Sequence, residues 1–253
     1  MILAVDIGNT NISLGVYENN KLSEKFYIPE KFCNVQNYED ALSSRLSDKN
    51  ISGCIISSVN DELTPIILSV IRKFIKIAPI IVSADMNLGM KIKSETPEKI
   101  GTDRLVNAVA SKKLYSKPAI VVDIGSATTF DIINKDGDFI GGVIMPGLNM
   151  QLYSLCNRTS KLPNVNLDNM KLVDKVINID TEKAILSGVV NGHINAIKGL
   201  INSCKQELEE QPIIIATGGN AKLIETFSSE KLFDVIDENI TLDGLNILYE
   251  MNK

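Results

Sequence analysis

Two short segments of this chain carry similar residue types in the same order: Asp6-Ile7-Gly8-Asn9-Thr10 and Asp123-Ile124-Gly125-Ser126-Ala127-Thr128. Each follows an apolar run, at 2–5 and at 120–122. A strand that ends in Asp-x-Gly sets a carboxylate at its mouth, and the glycine turn behind it exposes backbone N–H groups. Such a carboxylate suits a hydrated metal ion, while the amides and the Asn or Thr side chains suit phosphate oxygens. The two aspartates stand 117 residues apart, nearly half of the 253-residue chain. A repeat on that scale predicts two similar half-domains with a nucleotide site between them.

Three further segments add chemistry. Thr217-Gly218-Gly219 follows an apolar strand and precedes a helix, where glycines let a backbone approach a nucleotide closely. Gly101-Thr102-Asp103-Arg104 opens a helix. An Asp beside an Arg is ordinarily an N-cap and a surface charge. In phosphoryl transfer the pair has distinct work: the carboxylate accepts or orients the hydroxyl proton, and the guanidinium steadies substrate charge. Asp131 lies eight residues after Asp123, and strand alternation puts Thr129 and Asp131 on one face. Gly141-Gly142 and Pro146-Gly147 shape the backbone nearby. His193, the only histidine, sits among Gly192, Ile194 and Ala196 and is expected to pack in a core or an interface. One histidine and no fitting cysteine set argue against a Ser–His–Asp or zinc hydrolase. No Gly-x-x-x-x-Gly-Lys-Ser/Thr run is present, which argues against a Walker-type kinase.

The elements that must position these residues follow from periodicity and turn signals. Strands are predicted at 2–6, 12–17, 21–28, 51–59 and 79–82, with helices at 38–46 and 61–76. That order is one mixed-sheet α/β unit. A polar loop at 91–99 runs into the Gly-Thr-Asp-Arg segment, with a helix from about 105 to 114. The second half repeats the pattern with strands at 119–123, 128–133, 139–144 and 212–216. Helices are expected at 147–155, at 181–209 as one or two pieces, and at 243–252. Residues 157–176 read as an irregular, mobile loop. Gly188, Gly192 and Gly199 predict close helix contacts.

Composition narrows the class. Hydrophobic residues are 44% of the chain, enough for a large core without disulfides. Net charge is −5 with no basic cluster interleaved with aromatics, so no nucleic-acid partner is expected. Cys33, Cys54, Cys156 and Cys204 show no zinc or redox spacing and predict reduced, mostly buried thiols. Met1 runs straight into the strand that carries Asp6, and no stretch of about 20 apolar residues exists to span a membrane. A soluble cytoplasmic protein with no membrane partner is expected.

Asp6-Ile7-Gly8-Asn9-Thr10-Asn11, Gly101-Thr102-Asp103-Arg104, the Asp123–Asp131 segment, Gly141-Gly142-Val143-Ile144-Met145-Pro146-Gly147 and Thr217-Gly218-Gly219 occur in this order. Together they resemble type III pantothenate kinase, a family of the acetate and sugar kinase, heat-shock chaperone and actin superfamily. The resemblance spans essentially the whole chain. It implies an α/β fold of two similar actin-like (ribonuclease H-like) lobes, 1–116 and 117–253, with mixed sheets flanked by helices and a nucleotide cleft between them. It implies ATP-dependent phosphorylation of pantothenate to 4′-phosphopantothenate, the first step of coenzyme A biosynthesis. Asp103 would be the general base, and Ser94, Gly101, Thr102, Arg104 and Thr181 would contact pantothenate, Thr181 across a homodimer interface. Asp6, Gly8, Asn9, Thr10, Asn11, Gly125, Ser126, Ala127, Thr128, Gly218 and Gly219 would hold ATP. Mg2+ would arrive with ATP near Asp6, and Asp123 with Asp131 would help bind a monovalent cation, K+ or NH4+. The chain departs from the family's common residues at Ser94 (often Tyr), Thr96 (often Asn) and Ser126 (often Thr). Two other readings stay open: a non-catalytic transcription accessory protein of the same fold, and a kinase of another small hydroxylated substrate. Intact Asp6, Asp103 and Asp123 speak against the first, and the Gly-x-Asp-Arg element against the second.

Overall fold

The computed structural model describes residues 1–29, 31, 34–115 and 118–253. The first five strands are β1 (Ile2–Ile7), β2 (Asn11–Glu18), β3 (Lys21–Pro29), β4 (Gly53–Ser58) and β5 (Ile80–Ile81). The next five are β6 (Ala119–Ile124), β7 (Ala127–Ile133), β8 (Phe139–Pro146), β9 (Ile213–Thr217) and β10 (Val235–Ile236). The helices are α1 (Val35–Leu46), α2 (Leu63–Phe74), α3 (Thr102–Leu114), α4 (Leu148–Asn157), α5 (Thr181–Leu208), α6 (Ala221–Phe227) and α7 (Ile240–Asn252).

One sheet runs β3-β2-β1-β4-β5 and the other β8-β7-β6-β9-β10. In each, the first strand is antiparallel to the second and parallel to the fourth. The repeat read from the two Asp-x-Gly segments is therefore a repeat of topology.

Alternation along β1 divides the first core in two. Leu3, Val5 and Ile7 face α1 and α2, whose Tyr38, Leu42, Leu46 and Leu63, Ile67, Val70, Ile71 recur at helical spacing. Ala4 and Ile55 face the opposite side, where Leu105, Val106 and Val109 of α3 meet Leu242, Leu245 and Leu248 of α7. That second layer fixes the helix that carries Asp103.

Two compact units result: Met1–Tyr115, Gly137–Ile140 and Asn239–Lys253 form one, and Ser116–Asp136 with Gly141–Glu238 form the other. The division at 116/117 expected from sequence falls on residues outside those described. Elsewhere the packing departs from it, because residues 137–140 and 239–253 belong with the first unit. The reason is burial: the apolar stripe of α7 packs on α3 and the first sheet. At the crossing, a Cβ on Gly244 would stand 2.5 Å from the Val106 carbonyl oxygen. Gly→Ala inside a helix normally stabilises by up to about 1 kcal/mol. Gly244→Ala is expected to reverse that sign and cost about 1–3 kcal/mol through overpacking, read as a lowered thermal midpoint.

Other sequence expectations need correction. The helix bearing Asp103 begins at Thr102 rather than near 105. Helix α5 is one continuous element, one of the two arrangements expected, opened by Asp180, whose side chain accepts from the Lys183 N–H at 2.9 Å. A Cβ on Gly188, Gly192 or Gly199 would meet nothing within 4 Å, so these glycines make no close helix contact among the described residues. Residues 157–176 are not wholly irregular: a 3-10 turn at Leu167–Leu172 buries Leu167 and Met170, and it packs on α5. Cys54 is buried, but Cys156 and Cys204 are only partly so, and Cys33 lies outside the described residues.

Candidate active site

Within the first unit, Asp6 lies across the ladder from Ser13 on β2 and Ser57 on β4. The turn after it is closed by the Gly8 N–H donating to the Asn11 carbonyl at 3.1 Å, and it leaves Asn9, Thr10 and Asn11 exposed. Thr102 Oγ1 donates to the Ser58 carbonyl at 3.0 Å and accepts from the Ser58 N–H at 3.1 Å. A hydroxyl has one proton, so Ser57 is the donor in its 3.0 Å contact with Thr102. The start of α3 is thus fastened to the end of β4, one ladder step from Asp6. This joint sets the Thr102-Asp103 segment beside the strand end that carries Asp6, far from it in sequence.

Asp103 sits in the first turn of α3, where the helix dipole favours a carboxylate. Its Oδ1 accepts from the Arg104 N–H at 2.8 Å. Burial pushes its pKa above the ordinary carboxylate value, and the Arg104 N–H and guanidinium charge pull the other way. Gly101 is a steric requirement: a Cβ there would stand 2.5 Å from Asp103 Oδ1. The Arg104 guanidinium lies 5.5 Å from the centre of the Phe139 ring, a cation–π contact. Phe139 also clamps the segment that leads to Ser94. Its N–H donates to the Lys91 carbonyl at 3.0 Å, and its carbonyl accepts from the Lys93 N–H at 2.8 Å. Ser94 is half-buried and its Oγ accepts from the Thr96 N–H at 3.2 Å. Sequence reasoning missed Phe139; the available signal was an aromatic two residues ahead of Gly141-Gly142.

The second unit repeats the first arrangement. Asp123 lies between Thr129 on β7 and Thr217 on β9, as Asp6 lies between Ser13 and Ser57. Its turn is closed by the Gly125 N–H donating to the Ala127 carbonyl at 3.0 Å and leaves Ser126 exposed. Gly147 packs against this turn: its N–H donates to the Ser126 carbonyl at 3.2 Å, and a Cβ would stand 2.4 Å from that oxygen. Gly218, at φ +87°, passes so close that a Cβ would be 2.4 Å from Asp123 Oδ1. Gly219 is exposed beside it. Asp131, opposite Val121 on β6, is fully buried on the Asp123 face of the sheet.

Thr128 does not fit the expected phosphate contact. It points to the other face of β7, is fully buried, and its Oγ1 lies 3.0 Å from His193 Nε2. The cause is alternation: Ala127, Thr129 and Asp131 share one face, so Thr128 takes the other. His193 is itself 1% exposed and hydrogen-bonded at both ring nitrogens, more than the packing role read from sequence. Burial pushes its pKa down to about 4 from 6.5. The unfolded chain binds the proton first, so this contribution to stability is intact above pH 6.5 and is lost as pH falls towards 4. A loss of about 3 kcal/mol at most is expected across that window. Thermal melts of the native protein and His193→Asn from pH 7 to 4.5 check it, since the variant lacks this dependence. Asp103, with its raised pKa, titrates in the opposite sense.

Asp6 in the first unit, and Asp123 with Asp131 in the second, are oxygen donors of the kind hard cations take. Among the described residues no three His, Cys, Asp or Glu side chains cluster as a metal site, so a cation at either place would also need phosphate, water or backbone oxygens. Thr181 opens α5 and is exposed. No helix among the described residues is long and apolar enough to cross a membrane.

The family model for type III pantothenate kinase matches residues 2–203. The chain belongs to the type III pantothenate kinase family. With that membership come a kinase of the transferase class and nucleotide binding. The solved structures it is similar to carry the same two-lobed actin-like fold. A Campylobacter jejuni protein described as a Baf family transcriptional activator superposes with a TM-score of 0.60 at 21% identity, over 98% of each chain. MreB 5 of Spiroplasma citri, bound to AMPPNP, gives 0.53 at 13% identity over 99% of this chain and 96% of its own. A ROK hexokinase of Thermus thermophilus gives 0.52 at 10% identity over 99% and 98%. At these identities the likeness is one of fold.

Proposed function

We propose that the protein transfers the γ-phosphoryl group of ATP to a hydroxyl of pantothenate, giving ADP and 4′-phosphopantothenate at the start of coenzyme A biosynthesis. The observation that carries this reading is Asp103. It is a half-buried carboxylate held at the head of α3, beside Arg104, in a chain of this family. With Oδ1 taken by the Arg104 N–H, Oδ2 accepts the hydroxyl proton as the oxygen attacks phosphorus and ADP leaves. Arg104, Gly101, Thr102 and Ser94 hold pantothenate, and stacking on Phe139 fixes the guanidinium. Within the first unit the amides of the Gly8–Asn11 turn suit phosphate oxygens; within the second the Gly125–Ala127 turn with Gly218 and Gly219 suits a nucleotide in the same way. Asp6 is the carboxylate that would hold the Mg2+ carried on ATP, through water, and the ion would supply charge neutralisation at the phosphates. Asp123 and Asp131 would hold K+ or NH4+.

A homodimer fits the apolar face of the second unit. A groove of about 670 Å³ is lined by Pro146, Met150, Leu155, Ile185, Gly188 and Val189, and Tyr153 nearby is 68% exposed. Sedimentation of the purified protein tests this: a dimer is expected, with Thr181 of one protomer serving the other's substrate.

The deciding experiment is ADP release with ATP, Mg2+ and pantothenate in parallel potassium, ammonium and sodium buffers. Pantothenate-dependent turnover in potassium or ammonium, and little in sodium, is the expected result. Turnover only with sugars would favour a different acceptor. A folded protein inert to every acceptor would favour an accessory role of the kind named for the Campylobacter jejuni protein.

A further inference from the structure

We infer that His193 is a positioning residue for the second phosphate turn, joining Thr128 at the head of β7 to Gln151 of α4 and, through it, to Pro146 at the end of β8. The inference rests on the reading of residues 123–128 as a nucleotide-phosphate turn.

The hydrogen-bond inventory determines the direction of the chain. The Gln151 amide nitrogen donates to the Pro146 carbonyl at 2.9 Å and lies 2.8 Å from His193 Nδ1. An amide nitrogen can only donate, so Nδ1 is the bare nitrogen of the ring. The proton is then on Nε2, which donates to Thr128 Oγ1 at 3.0 Å. A charged imidazolium would set two donors against each other at Nδ1, so the link works only with a neutral ring. Deep burial keeps it neutral.

What the chain connects is more telling than the bonds themselves. Thr128 directly follows Ala127, whose carbonyl takes the Gly125 N–H that closes the turn. Pro146 directly precedes Gly147, whose N–H grips the Ser126 carbonyl from the other side. The two segments that clasp the turn therefore share one side-chain connection, with His193 at its middle. A histidine that merely filled space would not need both ring nitrogens matched to them. Loss of the link lets the turn relax away from Gly147, which loosens the phosphate amides while leaving Asp103 and Arg104 of the other unit untouched.

The test uses His193→Leu, Thr128→Val and Thr128→Ser in the full-length protein. Binding of a non-hydrolysable ATP analogue is measured by calorimetry, alongside KM for ATP, KM for pantothenate and thermal midpoints. His193→Leu and Thr128→Val are each expected to weaken analogue binding and raise KM for ATP about tenfold. KM for pantothenate should stay within about twofold, Thr128→Ser should bind normally, and the double variant should be no worse than either single one. Should His193→Leu not fold, Thr128→Val breaks the same link from its other end with almost no change in shape. Variants that melt lower but bind the analogue like the native protein would reduce His193 to a core residue and overturn the inference. Native protein that does not bind the analogue would overturn the nucleotide reading itself, and the inference with it.

Discussion

Asp103→Asn is expected to lower kcat by about 10²–10⁴-fold while an ATP analogue still binds with near-native affinity. The substitution keeps the shape of the side chain and an acceptor for the Arg104 N–H, which now reaches Oδ1 at 2.8 Å. What it removes is the oxygen able to take a proton. Burial has already raised the pKa of that carboxyl, which brings it nearer the working pH and makes it a better base than an exposed aspartate. The same shift fixes the direction of the pH profile. Asp103 is active only when deprotonated, so kcat/KM should fall on the acid side with a midpoint above the ordinary carboxylate range. Rapid-quench or coupled-assay rates across pH, beside analogue titrations, check both points. Near-native turnover in the asparagine variant would remove Asp103 from the mechanism.

The second large effect is expected at Gly218. Its φ of +87° is one that residues with a Cβ rarely adopt, and the missing Cβ would fall 2.4 Å from Asp123 Oδ1 and 2.6 Å from the Ile124 carbonyl carbon. One neighbour is the carboxylate end of Asp123, and the other is the Ile124 backbone, which cannot turn aside. Gly218→Ala therefore combines dihedral strain with overpacking, for a cost of about 2–4 kcal/mol. Since the strain falls on Asp123, analogue affinity should drop more than tenfold as well. Gly219→Ala is the control for stability, because a Cβ there meets nothing within 4 Å and should change it by less than about 0.5 kcal/mol. Chemical denaturation and calorimetry of the two variants separate the effects. Equal behaviour of the two alanine variants would show that the close approach at Gly218 is not required.

Much of the site was legible because its parts are local. Asp6-x-Gly8 and Asp123-x-Gly125 each encode a strand, its end and a turn within a few residues, and their recurrence announced a duplicated sheet before any contact was known. Gly101-Thr102-Asp103-Arg104 likewise announced a helix start with a carboxylate in it. Thr128 was misread although strand period was available, because motif adjacency was given more weight than the face to which alternation sends the side chain.

The sequence by itself determined the family, the repeated mixed sheets and the residues at each strand mouth, since strand periodicity, glycine turns and motif order are written in neighbouring residues. Only the tertiary structure decided that α7 returns to the first unit, that Phe139 stacks on Arg104 and that His193 bridges Thr128 to Gln151. Those pairings join residues tens to more than a hundred positions apart. They are selected by complementary shape, burial and the need to satisfy every enclosed donor and acceptor, which local spacing does not specify.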